Sequence, residues 1–215
     1  NASTSYSGAY NFFSHLQRQG LEPNENTYKV TIDAIVNFGT NSFYALSLLK
    51  EMQTKNLRPD REIYRCVIKA CEDEQWSAEV FGMACKVYSA AEADGIYSAI
   101  WRDNGAKLDL HGCSAAEARV ILTHTLHSYG KGTRPFPAEK LTVITGQGTH
   151  SQNGPVLPKV TRKLLGQFGI EVTDDKKNLG RFYLTRSTIE DWKLKSAWRW
   201  GDFSDYFFSD DDDGS

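Results

Sequence analysis

Two different periods of apolar residues divide this chain. Up to about residue 97 they recur every three to four positions, the spacing of amphipathic helices. Tyr28, Ile32, Ile35 and Val36 make one helical stripe. Phe43, Leu46, Leu49 and Met52 make the next, after a break at residues 37–41. Pro23 and Pro59 close successive units, because proline cannot continue a helix. The pattern predicts helical hairpins stacked side by side.

From Ala106 onward the pattern changes to short apolar runs that end in polar groups and glycine. Leu108-Asp109-Leu110-His111-Gly112 and Leu141-Thr142-Val143-Ile144-Thr145-Gly146 read as buried strands. Between them Ser114 to Tyr129 reads as a helix. It opens with the Ser114/Glu117 capping box and turns Ala118, Ile121, Leu122 and Leu126 toward the sheet. Strand, helix, strand predicts a parallel βαβ unit, with both polar tips at carboxyl ends of neighbouring strands. After the Gly/Pro-rich loop Lys131–Pro137, a helix with proline in its first turn is expected over Pro155–Leu165. Strands follow at Ile170–Thr173 and Arg181–Thr185, then a last helix capped by Ser187-Thr188-Ile189-Glu190.

The helical half is also a repeat. Ala9 and Leu16 match Ala45 and Met52, Leu21-Glu22-Pro23-Asn24 matches Leu57-Arg58-Pro59-Asp60, and Thr27-Tyr28 matches Ile63-Tyr64, all 36 residues apart. Ala45 matches Ala84 at 39, which places a three-residue insertion near Glu74. A fixed period in this range signals a helical solenoid. The expected fold is therefore α followed by α/β. A short helical-hairpin solenoid covers 1–97 and a linker 98–105. An α/β domain with an extra C-terminal helix covers 106–200, and an acidic disordered tail 201–215.

Charge sharpens the division. The net charge is -2, but residues 201–215 hold six Asp, so the first 200 residues carry +4. Residues 106–200 carry +7 and residues 1–105 carry -3. A local basic excess favours a polyanionic partner such as nucleic acid. No run of 18 apolar residues exists, so no membrane span is expected. The first residues lack the basic and apolar regions of a secretory signal. Cys66, Cys71, Cys85 and Cys113 show no paired spacing and are expected as free thiols.

Several residues carry candidate chemistry. Thr145-Gly146-Gln147-Gly148-Thr149-His150-Ser151 leads into a helix start, where turning glycines and outward N–H groups suit an anion. Asp109 and His111, two apart, would face the same side of a strand. Such a pair can orient or activate a water or hold a divalent metal. A turn cap and a satisfied buried histidine are the alternatives that these residues alone leave open. His124 and His127 share a helix face and, lacking a third ligand nearby, are expected on solvated surface.

Two resemblances follow from these residues. Thr27-Tyr28, Ile32-Asp33-Ala34, Ala45, Met52 and Pro59-Asp60 resemble the pentatricopeptide repeat (PPR). That implies single-stranded RNA binding, with base choice at the residue after the motif's Tyr and at the last residue of the repeat. Here these are Lys29 with Asp60, and Arg65. Lys29 and Arg65 depart from the usual small polar residues and are expected to contact phosphate. Leu108-Asp109-Leu110-His111 with Thr145-Gly146-Gln147-Gly148, over roughly Ala106 to Leu184, resembles the Smr (small MutS-related) domain with its LDxH and TGxG motifs. Repeats followed by Smr resemble the PPR–SMR proteins of plant and algal organelles, with plastid preferred to mitochondrion.

The Smr resemblance implies a two-layer α/β domain, nucleic-acid binding and, in some members, endonuclease activity assisted by Mg²⁺ or another divalent metal. Asp109 and His111 would be catalytic, with Asp109 proximal to the metal. Gly146 and Gly148 would face phosphate. Charge and position add His150, Lys159 and Arg162 as backbone contacts. Three readings result: an RNA-processing endonuclease, a non-catalytic RNA- or DNA-binding module, and a structural subunit whose repeats or acidic aromatic tail contact protein.

Overall fold

The computed structural model describes residues 5–39, 42–73, 78–148 and 154–196, and the chain forms two compact units that divide between Ile96 and Tyr97. Among the described residues there are eight α-helices and one mixed five-stranded sheet. None of these helices is long and apolar enough to cross a membrane. The expected insertion near Glu74 and the acidic tail lie outside the described residues.

The first unit is entirely helical: α1 Ser5–Arg18, α2 Glu25–Gly39, α3 Ser42–Thr54, α4 Arg61–Asp73 and α5 Ala78–Ala93. The 36-residue offset is visible in its core. Tyr28 and Tyr64, and Ile32 and Ile68, are fully buried at equivalent places. Each α2/α4 start is capped by the residue four before its tyrosine. Asn24 Oδ1 accepts from the Thr27 amide (2.9 Å) and Asp60 Oδ1 from the Ile63 amide (2.9 Å). Buried tyrosine hydroxyls need acceptors. Tyr28 donates to Glu51 (2.8 Å) and Tyr64 to Asp94 (3.0 Å), tying each helix to a later one. Glu51 also accepts from Gln17 and pairs with Lys55, so one carboxylate links α1, α2 and α3.

The second unit begins with a 3₁₀ turn at Ser98–Ile100. It continues β1 Trp101–Arg102, β2 Lys107–Asp109, α6 Ala115–Lys131, β3 Lys140–Ile144, α7 Val156–Gln167, β4 Thr173–Asp174, β5 Arg181–Thr185 and α8 Arg186–Ser196. The sheet order is β1-β2-β3-β5-β4. β2 and β3 are parallel, as a strand–helix–strand unit requires, and the other pairings are antiparallel. Residues expected as a linker instead supply β1, because Trp101 and Arg102 pair with Leu108 and Lys107 in a tight hairpin. Asp103, Asn104 and Gly105 take positive φ there.

One sheet face forms the core. Leu108, Leu141, Val143, Phe182 and Leu184 are fully buried, each worth about 1.5–3 kcal/mol of apolar burial. The capping box at α6 forms in full. Ser114 Oγ accepts from the Glu117 amide, and Glu117 accepts from the Ser114 amide and from Tyr97 Oη. Three local readings change. The fourth strand shrinks to Thr173–Asp174, with Ile170 buried just beyond α7. The α8 start is capped by Thr185, whose hydroxyl accepts from the Thr188 amide (3.2 Å), rather than by Ser187. His127 is 7% exposed rather than solvated, because α6 is buried on nearly every side.

Candidate functional site

β2 ends at Asp109, and the chain turns sharply through Leu110 to Cys113, where the Cys113 amide bonds the Leu110 carbonyl (2.9 Å). His111 is therefore on a turn and not on the strand. It still meets Asp109, because the turn folds it back. Its amide donates to Asp109 Oδ1 (3.2 Å) and its Nδ1 lies 2.5 Å from the same oxygen. The other oxygen takes Arg102 from β1 at 2.8 Å. The Asp109 side chain is 4% exposed and the His111 side chain 61%. Burial pushes the Asp109 carboxyl up. The hydrogen bonds from His111 and the Arg102 charge outweigh it and hold the group below the usual carboxylate range. A buried, ionised carboxylate thus orients an exposed imidazole through Nδ1, which leaves Nε2 to exchange a proton.

Facing His111 is the loop that follows β3. Gly146 and Gly148 have φ of 72° and 67°, a region that side chains rarely adopt. A Cβ on Gly146 would stand 3.4 Å from His111 Cβ, and one on Gly148 would strike Pro155 at 2.5 Å. The loop is fastened from below. Gly180 O accepts from the Thr145 amide (2.8 Å) and hydroxyl (3.2 Å), and Asn178 Oδ1 accepts from Gln147 Nε2 (3.1 Å). Together these elements line an open cavity of about 500 Å³, in which His111, Cys113 and the 145–148 loop oppose Pro155–Pro158 at the start of α7. Among the described residues no side chain caps that helix, whose first N–H groups add partial positive charge.

The other expected residues fall differently. His150 and Ser151 lie outside the described residues. Lys159 is exposed on α7. Arg162 pairs with Asp174 (2.5 Å) and covers the Phe182 ring, serving the core edge rather than the cavity. In the helical unit Lys29 pairs with Asp60 (2.7 Å), so the two residues at the expected base-reading positions hold each other. Arg65 pairs with Glu62. Sequence reasoning missed Arg102, Asn178 and Gly180. Only the pairing of β1 and the β4–β5 turn brings them in, and neither is announced by a motif.

A resident divalent ion fits this donor set poorly. Both Asp109 oxygens are already engaged, and a cation would have to displace Arg102 or His111. Among the described residues no three His, Cys, Asp or Glu side chains gather as ligands.

The unit fold is thus a helical repeat followed by a mixed α/β layer. No protein-family profile matches the chain. It is similar to a pentatricopeptide repeat-containing protein of Arabidopsis thaliana, 29% identical over 102 residues, covering 44% of this chain. The match spans a fifth of that relative's length.

Proposed function

We propose that the chain is an RNA-binding protein of organellar gene expression, assigned to the plastid, in which the helical unit is a PPR stack and the second unit an Smr-type domain that cuts RNA. The observation that carries the proposal is the cavity where His111, held by buried Asp109, faces the Gly146/Gly148 loop and the start of α7. A phosphodiester seated on the loop amides places its neighbouring 2′-hydroxyl beside His111. The imidazole takes that proton, and the 2′-oxygen attacks phosphorus. The P–O5′ bond breaks, leaving a 2′,3′-cyclic phosphate on one fragment and a 5′-oxygen on the other that takes a proton from the imidazolium or from water. The oxyanion that develops is met by loop and helix N–H groups. Asp109 acts by positioning His111 through Nδ1. Because the donor set does not suit a metal, the step is written with proton transfer alone.

The 36-residue period and the similarity to a pentatricopeptide repeat-containing protein support the RNA assignment. Lys29 and Arg65 contact phosphate by exchanging Asp60 and Glu62 for it, so their contribution is small. The test mixes end-labelled structured and single-stranded RNA with wild type and with Asp109→Ala/His111→Ala, in Mg²⁺ and in EDTA, on a denaturing gel. Cutting by wild type alone that persists in EDTA is the expected result. Cutting abolished by EDTA would restore a metal to the mechanism. No cutting, with salt-sensitive binding, would leave an RNA- or DNA-binding module. Absence of binding, with co-purification of a protein complex, would leave a structural subunit.

A further inference from the structure

The sheet has a second face that the cavity does not use. Residues directly opposite across paired strands point to the same side. The register therefore places Arg102, Lys107, Thr142, Tyr183 and Thr173 in one row across all five strands. Beside it run Asp109, Ile144 and Arg181, and on the other flank Lys140 and Thr185. The opposite face is the core, where Arg162 of α7 lies over Phe182. On the second face Arg102, Lys140, Arg181 and Thr173 are exposed, Lys107, Ile144, Tyr183 and Thr185 are half-buried, and Thr142 and Asp109 lie buried among them. An antiparallel edge with one packed and one open face follows this alternation.

The open face is built around one aromatic ring. Lys140 Nζ sits 4.0 Å from the Tyr183 ring centroid, and the nearby Asp175 carboxylate raises the pKa of the Tyr183 hydroxyl. Of the acids nearby, Asp109 pairs with Arg102 and Asp103 with Lys107, and Asp175 lies in the field of Arg181. Lys140 and Arg181, with Lys176 and Lys177 in the adjoining turn, leave the face positive. An aromatic among cations is the chemistry that holds unpaired bases and their phosphates. A duplex hides its base faces and gains nothing from it.

We propose that this face is a platform for single-stranded RNA, in which Lys140 moves off the Tyr183 ring to a phosphate, one base takes its place on the ring, and Arg181 holds a second phosphate. The proposal rests on the reading of the chain as an RNA-binding protein. The row Arg181–Ile144–Asp109 leads from the platform to the sheet edge where His111 stands, so a strand on the face continues into the cavity.

The test is fluorescence anisotropy with a labelled unstructured 20-nucleotide RNA, alone and annealed to its complement, at several salt concentrations. The proteins are wild type, Tyr183→Ala, Tyr183→Phe, Lys140→Ala and His111→Ala, each checked by thermal melting. Tyr183→Ala is expected to weaken single-strand binding about tenfold, and Tyr183→Phe by less than about twofold. Lys140→Ala should reduce the salt slope by about 1. Duplex binding should ignore Tyr183. Unchanged affinity in Tyr183→Ala, or an equal loss in Tyr183→Phe, overturns the platform alone. Failure of wild type to bind any RNA at low salt overturns both the platform and the functional reading.

Discussion

Replacing Gly180 by alanine is the sharpest perturbation of the cavity that leaves its chemistry in place. Gly180 does not have positive φ, so backbone preference plays no part and the cost is steric. The added Cβ would lie 2.6 Å from Gly146 C, 2.8 Å from Gly146 O and 2.9 Å from Gln147 N. All three are backbone atoms, so no side chain can swing aside. Either the 145–148 loop or the β4–β5 turn must move, and either motion strains the two bonds that Thr145 gives to Gly180 O. Overpacking of this kind costs about 1–3 kcal/mol, and the weakened bonds lie within that range. Gly166→Ala in α7 is the control, because a Cβ there meets nothing within 4 Å. It should be neutral or slightly stabilising. Urea unfolding followed by circular dichroism measures both, and RNA anisotropy measures the loop. The expected result is a lower midpoint and weaker RNA binding for Gly180→Ala only. A Gly180→Ala protein with wild-type midpoint and affinity would refute the idea that the turn holds the loop.

Three further outcomes follow from buried groups. Burial pushes the His127 imidazole down to about 4, so below the ordinary histidine value the unfolded chain binds a proton that the folded chain refuses. Stability should therefore fall from pH 7 to pH 5, with a full effect on the order of 3 kcal/mol near pH 4, and His127→Gln should flatten that part of the urea-midpoint profile. Asp109, held low in the folded state, contributes stability above the carboxylate range that is lost as pH falls through it. Asp109→Asn should remove that acid sensitivity, cost about 1–3 kcal/mol in thermal melts and abolish cleavage while RNA binding persists. Glu51→Ala strands the hydroxyl of buried Tyr28 and should destabilise the helical unit by about 1–3 kcal/mol, measured by urea unfolding, with Glu51→Gln recovering part of the loss.

Elements with a strong period were legible in the sequence. The α6 cap, the parallel β2/β3 pair and the β5 limits stand where the residues placed them, because each rests on a local signal: a capping box, a βαβ order, an apolar alternation. The hairpin at Trp101–Arg102 was not legible, since two residues of strand carry no period and their pairing depends on a turn of left-handed residues. The burial of His127 was hidden for a different reason. Helical spacing says which residues share a face, but not how many faces the fold will cover. At the cavity, His111 and the glycine loop were visible as motifs. Arg102 supports it through a two-residue strand in a tight hairpin, and Asn178 and Gly180 only because β5 pairs with β3, distant in sequence.

The contact between Gly148 and Pro155 has a consequence for how this protein can change. A side chain at 148 would strike the Pro155 backbone, so the glycine turn and the start of α7 touch with no room between them. A shift of α7 therefore pushes on the turn that faces His111. The width of the cavity is coupled to the packing of that helix, and a substitution in α7 can retune the site from outside it, provided that glycine and that proline are kept.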